Sequence, residues 1–225
     1  MNETIFSNTA LQSLSKSTSS FLKIHMLQKT VSKGAQFLWE GDEVEKVYFI
    51  IRGYAKIYHF SEEGREQILT VVKGGQFVNT VSALRQEKGN HANGKAMTEV
   101  ELGMLDVVDF RAAICDYSDF ALLLLQDSAE KLDQLTRLVE ELSLFSTRQR
   151  LIRFILKNAR ENQAIRGWTQ EEIAAQVGTV RDVVSRLLGF FARAGYILVE
   201  RQRIIVLDEQ RLQAALEEGD VRLKS

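Results

Sequence analysis

The first half of the chain alternates between short hydrophobic runs and turns that are polar or contain glycine. Between about Val31 and Leu105 the runs are Val47–Ile51, Tyr54–Phe60, Gln67–Val72 and Glu99–Leu105. Strands of this length, with turn signals at this spacing, are typical of an antiparallel sandwich or barrel. The pattern therefore predicts a β-rich domain.

A long helix is predicted between Tyr117 and Leu144, where neither glycine nor proline occurs. Along this helix, residues spaced alternately four and three apart form a mostly apolar stripe, as in the seam of a coiled coil. The stripe has one polar member, Ser128, and consists of Ala121, Leu125, Ser128, Leu132, Leu135, Val139 and Leu142. Other leucines widen the apolar surface beyond this seam: Leu122, Leu123, Leu124 and Leu138. Such a helix can cover its own domain with one face and contact a second copy with the other, or pack on the β-domain alone. Ser143–Thr147 is predicted to be a hinge.

The strongest local motif is Thr169–Leu188. Thr169 can cap a first helix with an acidic first turn, and Gly178 can supply the turn after it. The second helix sorts its residues into an apolar inner set, Val184, Leu187 and Leu188, and a polar outer set, Arg181, Asp182, Ser185 and Arg186. This arrangement predicts a DNA-binding helix-turn-helix; the alternative is an ordinary helical hairpin with a solvated face.

The polar outer face suits the edges of bases in the major groove. Arginine can donate two hydrogen bonds to guanine, an acidic side chain can accept one from cytosine, and serine can contact base or phosphate. Further along, Tyr196–Val199 and Ile204–Leu207 predict a β-hairpin, or wing. Arg201 and Arg203 at its tip could contact phosphates, which adds affinity without sequence choice.

The charge is unevenly distributed along the chain. Residues 147–207 carry 11 basic and 5 acidic residues, a net charge of +6, whereas residues 1–146 have a net charge of −5. A compact basic block indicates a polyanionic partner, although chance variation is the alternative.

Several classes of protein and site are disfavoured by the sequence. A single cysteine, Cys115, excludes an internal disulfide and a four-cysteine iron–sulfur cluster, and its neighbour Asp116 favours a structural role over redox sensing. No run approaches the roughly 20 apolar residues that span a bilayer, and the start does not resemble a signal peptide, which indicates a cytoplasmic protein without a membrane partner. No phosphate loop, metal-ligand spacing or nucleophile with a base is present, so neither a metal site nor an enzyme is predicted.

The order of these parts resembles the Crp/Fnr family of bacterial transcription regulators. The resemblance is most specific in Tyr48–Gly53, Gly64–Phe77, Arg150-Leu151 and Thr169–Leu188. It implies an α+β fold: an antiparallel β-roll of the cupin-like, cyclic-nucleotide-binding type as sensor (residues 1–116), a dimerisation helix and hinge (117–146), and a winged helix-turn-helix (147–225). It also implies a homodimer on a near-palindromic duplex operator, with recognition helices about 34 Å apart. RNA polymerase would be a further partner of an activator.

The resemblance also assigns residues to DNA. Arg181, Asp182 and Arg186 match the family's base-reading positions, with Asp182 where glutamate is more usual. The residues predicted to contact DNA lie on the helix-turn-helix and the wing: Thr169, Gln170, Thr179, Arg181, Asp182, Ser185, Arg186, Arg201 and Arg203.

The effector is expected to differ from cyclic AMP. Members that bind cyclic nucleotides carry a glycine-glutamate-leucine stretch for the ribose and an arginine-serine pair for the phosphate. The matching positions here are Asn79, Thr80 and Val81, then Asn90 and His91, while Leu135 and Thr136 match effector-facing positions on the long helix. A buried phosphate needs a cationic or multi-donor clamp, which these residues lack. The seven are predicted to line a pocket for another small molecule.

Haem is one alternative effector and an unidentified small molecule is the other. The available imidazoles are His25, His59 and His91, with Met26 and Met97 as second ligands, and His91 is favoured because it falls near the predicted pocket. Two functions stay open: an effector-controlled DNA-binding regulator, and a haem-based gas or redox sensor or ligand-binding module that acts through protein contacts.

Overall fold

The computed structural model describes residues 9–85, 88–159, 164–201 and 203–217. The chain divides into two compact units, one formed by the chain up to His59 together with Leu69–Leu135, the other by Phe60–Ile68 and the chain from Thr136 onward. The domain limits predicted at residues 116 and 146 stay predictions. The long helix ends at Leu144 and the next begins at Thr147.

The described elements up to Leu144 are, in chain order, α1 (Thr9–Gln12), α2 (Lys16–His25), β1 (Leu27–Val31), β2 (Gln36–Leu38), β3 (Lys46–Arg52), β4 (Tyr54–Phe60), β5 (Glu66–Lys73), β6 (Phe77–Val78), α3 (Thr80–Arg85), β7 (Asn93–Ala96), β8 (Val100–Asp106), α4 (Val107–Asp116) and α5 (Ser118–Leu144). The strands form two four-stranded sheets, in the orders β1-β8-β3-β6 and β2-β7-β4-β5. The predicted antiparallel β-domain is confirmed.

Strand β3 shows why this domain has two cores. Residues alternate between the faces of a strand, and β3 is apolar on both. Tyr48 and Ile50 face a core that both sheets share, whereas Val47, Phe49 and Ile51 face a core shared with the helices. The β-roll is therefore filled between its sheets and covered on one outer face.

The long helix α5 belongs partly to the second of these cores. Leu124 is buried there and Leu123 packs against it, as expected for an apolar face directed at the β-domain. The positions of the predicted seam are not buried in the single chain. A single uninterrupted helix with two apolar faces is confirmed.

The C-terminal elements are α6 (Thr147–Ala159), β9 (Ala164–Arg166), α7 (Gln170–Val177), α8 (Arg181–Arg193), β10 (Ile197–Glu200), β11 (Arg203–Val206) and α9 (Glu209–Glu217). The three strands pair antiparallel in the order β10-β11-β9, and the predicted wing is the β10–β11 hairpin. Leu151 and Ile155 of α6, Ile173 of α7, and Leu188 and Phe191 of α8 pack in one core. This core fixes α8 relative to α7.

Candidate DNA interface and effector pocket

Helix α7 begins and ends at the residues that the sequence indicated. The Thr169 hydroxyl accepts a hydrogen bond from the Glu172 N–H at 3.1 Å, and the Glu172 carboxylate accepts one from the Thr169 N–H at 2.8 Å. These reciprocal bonds form a capping box, which satisfies two N–H groups at the helix start. Gly178 ends the helix at φ 72°, in the left-handed region that favours glycine.

Helix α8 separates its apolar and polar residues between two faces. Val184, Leu187 and Leu188 are buried in the domain core, as predicted. The outer set is exposed without exception: Arg181, Asp182, Ser185 and Arg186. The first turns of α8 therefore present two guanidinium groups, a carboxylate and a hydroxyl on one surface.

The N-terminus of α8 can itself bind an anion. Its N-cap residue, Val180, has no side chain that can accept a hydrogen bond from the first turn. The uncapped N–H groups and the positive end of the helix dipole favour a phosphate oxygen at this position. A phosphate at this position would therefore meet backbone N–H groups as well as the exposed polar side chains of the first turns of α8.

One of the two outer arginines already has a partner within the domain. The Arg181 Nε atom lies 3.1 Å from the Glu171 carboxylate, which belongs to the first turn of α7. Neither Arg186 nor Asp182 has an ion-pair partner among the described residues. Since both members of the Arg181–Glu171 pair are well exposed, water competes with their attraction.

The remaining predicted DNA contacts lie around the same helix pair and on the wing. Gln170 and Thr179 are partly exposed, in the first turn of α7 and just before α8. Arg201 is exposed at the wing tip, whereas Arg203 is half-buried, 3.7 Å from the Glu200 carboxylate. The assignment of the nine residues to DNA stays a prediction.

Arg150 has a structural role that the sequence did not reveal. Its guanidinium donates to the carbonyl of Val177 at 2.7 Å, of Phe145 at 2.8 Å and of Gly178 at 3.3 Å, and to the Thr147 hydroxyl at 3.3 Å. A cation at the C-terminus of α7 also interacts favourably with its helix dipole. Arg150 therefore joins the end of α5 to the turn of the helix-turn-helix.

Asn79 and Asn90, two of the seven predicted effector residues, line a pocket of the β-domain. The pocket has a volume of about 290 Å³, and its other described lining residues are Phe37, Leu38, Trp39, Asp42, Glu43, Glu45, Lys46 and Tyr48. The loop between β2 and β3 supplies most of its rim, which sequence reasoning missed. The other five predicted residues do not line this pocket: Thr80, Val81, His91, Leu135 and Thr136.

The two asparagines are joined by a short amide network. The Asn79 amide nitrogen donates to the Asn90 side-chain oxygen at 2.7 Å and to the Lys46 carbonyl at 2.9 Å. The Asn90 amide nitrogen donates to the Trp39 carbonyl at 3.1 Å. Asn79 also adopts φ 70°, which only glycine and, less readily, asparagine or aspartate tolerate. The amides therefore hold the pocket wall in shape.

The histidines considered for haem have other partners. His25 lies 2.9 Å from the Asp109 carboxylate and stacks on Phe21, and His59 lies 2.9 Å from the Glu40 carboxylate. His91 is exposed, with its ring 5.2 Å from that of His59. Met26 is buried in the core beside the helices, and Met97 is only partly exposed. No observation on the described residues favours haem, which stays an untested alternative.

A buried ion pair connects α5 to strand β6. Asp127 is 6 % exposed; its carboxylate accepts a hydrogen bond from the Phe77 N–H at 3.4 Å and pairs with the Lys131 ammonium. The same ammonium donates to the Phe77 carbonyl. Burial raises the pKa of Asp127 above its ordinary value, although Lys131 opposes the shift. Both backbone groups of one strand residue are thus bound by charged groups one helical turn apart.

Comparisons with known proteins match both parts of the chain. The family model of the cyclic nucleotide-binding domain matches residues 28–117, and that of the Crp-like helix-turn-helix domain matches residues 149–215. A β-roll, a long helix and a winged helix-turn-helix in this order define a DNA-binding transcription regulator. The chain belongs to the Crp/Fnr family of transcription regulators.

Individual relatives agree with this assignment. The CRP-like cAMP-activated global transcriptional regulator of Mycobacterium tuberculosis is 28 % identical over 188 residues, which cover 80 % of this chain and 84 % of that protein. The global nitrogen regulator of Synechocystis sp. is 26 % identical, over 79 % of this chain and 83 % of its own. The solved structure of a Crp/Fnr-family regulator from Eubacterium rectale has the same fold, with a TM-score of 0.78 and 20 % sequence identity. The match covers 94 % of this chain and 98 % of the Eubacterium rectale chain.

Membrane-spanning helices and clusters of metal-binding side chains are both absent from the described part of the chain. None of its helices combines the length and hydrophobicity that crossing a membrane requires. It also contains no group of three or more histidine, cysteine or acidic side chains that could hold a metal ion.

Proposed function

We propose that this regulator is a homodimer that binds a near-palindromic operator and responds to a small-molecule effector other than cyclic AMP. The proposal that the protein binds DNA rests on the outer face of α8. Arg181 and Arg186 are both exposed, five residues apart in the first two turns of α8, while Val184, Leu187 and Leu188 are buried in the domain core. The side chains that could enter a groove are thus held on a rigid element.

The DNA contacts are tested by substituting the two arginines separately. A duplex selected from a random pool by the wild-type protein serves as operator. We expect Arg181→Ala and Arg186→Ala each to weaken binding by about 1–3 kcal/mol, and to relax base preference at one position per half-site. Arg211→Ala on α9 removes the same charge from an exposed site of the same domain and is the control. Wild-type affinity in both arginine variants would show that α8 is not the reading helix.

The proposal of a dimer follows from the exposed seam of α5. Leu125, Leu132 and Val139 are 67 %, 66 % and 64 % exposed in the single chain, and Leu135 and Leu142 are about 40 % exposed. Apolar side chains repeated at heptad spacing along one helix are the pattern that a second helix covers in a coiled coil. A contiguous exposed apolar stripe also favours association over a monomer.

The dimer is tested with a charge placed in the seam. Leu132→Glu should shift the protein to monomers in sedimentation experiments and weaken operator binding, because one monomer reaches only one half-site. Gln126→Glu adds the same charge to an exposed position outside the seam and should leave the dimer intact. Dimerisation of Leu132→Glu at wild-type concentrations would contradict the assignment of the interface.

The pocket gives the argument against cyclic AMP. Lys46 is the only cation among its described lining residues, and its ammonium already pairs with Asp106. The side chains of Asn79 and Asn90 supply neither the positive charge nor the set of hydrogen-bond donors that binding a phosphate requires. Addition of cyclic AMP at millimolar concentration should leave operator affinity unchanged; a severalfold change would refute this part of the proposal. At promoters that the protein activates, RNA polymerase would be its further partner.

A further inference from the structure

The pocket beside Asn79 and Asn90 offers an unusual surplus of negative charge. Asp42, Glu43 and Glu45 lie on its rim, and none of them has an ion-pair partner among the described residues. The only lining cation, Lys46, contacts Asp106, which does not line the pocket. A ligand that enters therefore meets unneutralised carboxylates.

The polar groups of the pocket mostly accept hydrogen bonds. Both hydrogens of the Asn79 amide are used, by Lys46 and Asn90, which leaves the Asn79 side-chain oxygen as an acceptor. With the three carboxylates, acceptors outnumber the available donors, which are the Tyr48 hydroxyl, the Trp39 indole, the second hydrogen of the Asn90 amide and the Lys46 ammonium hydrogens not directed at Asp106. A ligand that fits this set must itself be a donor, as ammonium and guanidinium groups are.

The walls of the pocket are aromatic and apolar. The Phe37 and Tyr48 rings pack at 5.4 Å between centroids in an edge-to-face arrangement, and Trp39 is 48 % exposed. Aromatic faces attract cations as well as apolar groups. The pKa of Tyr48 is raised by burial and, to a smaller extent, by the Glu45 carboxylate, which lines the same pocket. The aromatic walls and the acidic rim thus belong to one pocket, in which both can contact the same ligand.

We propose that this pocket binds a small organic cation, an amine or guanidine with an apolar or aromatic body, and that this cation is the effector of the proposed regulator. The volume of the pocket, about 290 Å³, can hold a small amine or guanidine with one ring. A bound cation would also contact the β2–β3 loop, which Asn90 holds at three points, through its side chain to Trp39, its N–H to Asp42 and its carbonyl to Gly41. The inference rests on the proposed effector-controlled function.

The first test compares three probes of the same shape and different charge. The protein contains two tryptophans, so Trp168→Phe leaves Trp39 at the pocket as the single tryptophan, which can be excited selectively over tyrosine. We expect 2-phenylethylamine to bind roughly tenfold or more tightly than 2-phenylethanol, and 3-phenylpropanoate not to bind. The affinity for the amine should fall with added salt, whereas that for the alcohol should not. Equal affinity for amine and alcohol, or no response to any probe, overturns the proposal.

The second test removes the rim charges. Asp42→Asn with Glu45→Gln should weaken amine binding roughly tenfold or more, since two attractive charges are lost at nearly constant shape. Glu62→Gln with Glu99→Gln, both exposed outside the pocket, should change it less than about twofold. Wild-type affinity in the rim variant overturns the proposal. Should that variant not fold, the probe and salt comparisons on the Trp168→Phe protein decide.

The effector role is measured on the selected operator. Saturating amine should change operator affinity severalfold, and an unchanged affinity despite amine binding overturns the role of effector. Failure of amine binding with intact operator binding refutes this inference alone. Failure of operator binding with intact amine binding refutes the proposed function instead.

Discussion

Replacing Lys131 with methionine should destabilise the β-domain in a pH-dependent way. Methionine keeps most of the aliphatic stem but removes the ammonium that pairs with Asp127. The carboxylate then stays buried, with a side-chain exposure of 5 %, and keeps only the 3.4 Å hydrogen bond from Phe77. Removing one partner of a buried pair typically costs about 3–5 kcal/mol. We expect about 3 kcal/mol at pH 8, because the Phe77 N–H still compensates part of the charge.

The pH dependence follows from the raised pKa of Asp127. A carboxyl group whose folded pKa lies above its unfolded value contributes stability at low pH, and this stability is lost as pH rises through the folded pKa. Without Lys131 that pKa rises further, so the variant loses more stability than wild type as pH increases. The difference between variant and wild type should therefore shrink towards pH 4.

Asp127→Asn should cost less than Lys131→Met at pH 8. The Lys131 side chain is 20 % exposed and keeps water and the Phe77 carbonyl as partners, whereas an unpaired Asp127 has almost no solvent. The double variant should recover most of the loss, because no buried charge remains.

The assay is urea unfolding of the full chain in the Trp168→Phe background. Trp39 lies in the same compact unit as Asp127 and Lys131, so its fluorescence reports the unit that is perturbed. A loss below about 1 kcal/mol at pH 8, or a loss that does not vary between pH 5 and 8, would refute the assignment of a buried ion pair.

Substitutions at three further positions test the DNA-binding domain. Arg150→Met should lower its free energy of unfolding by about 2–3 kcal/mol, because one cation satisfies several carbonyls; scanning calorimetry should show the loss in the domain that contains Arg150. Gly178→Ala should cost about 1–2 kcal/mol, since φ is 72° and the added Cβ would lie 2.6 Å from a Leu142 methyl carbon; unchanged thermal stability would contradict the left-handed turn. Thr169→Ala should cost about 1 kcal/mol through loss of the capping box, and Thr169→Ser should restore most of it.

The parts that the sequence predicted are those in which local pattern and tertiary packing agree. Heptad spacing located the exposed seam of α5, and Leu124 outside that seam is buried, as a helix with two apolar faces requires. Val184, Leu187 and Leu188 repeat at helical spacing, and the same residues form the inner face of α8. In such segments the period of the apolar residues is also the period of burial.

The parts that it missed depend on partners distant in sequence. In strand β1 the four residues before Val31 are all exposed, and strand β7 has the sequence Asn-Gly-Lys-Ala. Neither strand shows the alternation of apolar and polar residues that is typical of a half-buried strand. Their conformation comes from pairing with β8 and with β2 and β4. Of the seven residues predicted to contact an effector, only Asn79 and Asn90 line the pocket beside the β2–β3 loop, because the family resemblance carries no information about that loop. Trp39 and Glu45 line the pocket because the folded β2–β3 loop brings them beside Asn79 and Asn90, which are distant in sequence.

The ion pair between Arg181 and Glu171 bears on how this regulator would search a chromosome. If Arg181 reads a base, as proposed, it must first release a carboxylate that it already holds. A backbone phosphate can also accept two hydrogen bonds from the guanidinium, but its negative charge would then face the Glu171 carboxylate. Guanine in the cognate site offers two acceptors without a formal charge. The residue that competes for the arginine would thus sharpen discrimination between target and non-target sequence without contacting a base itself.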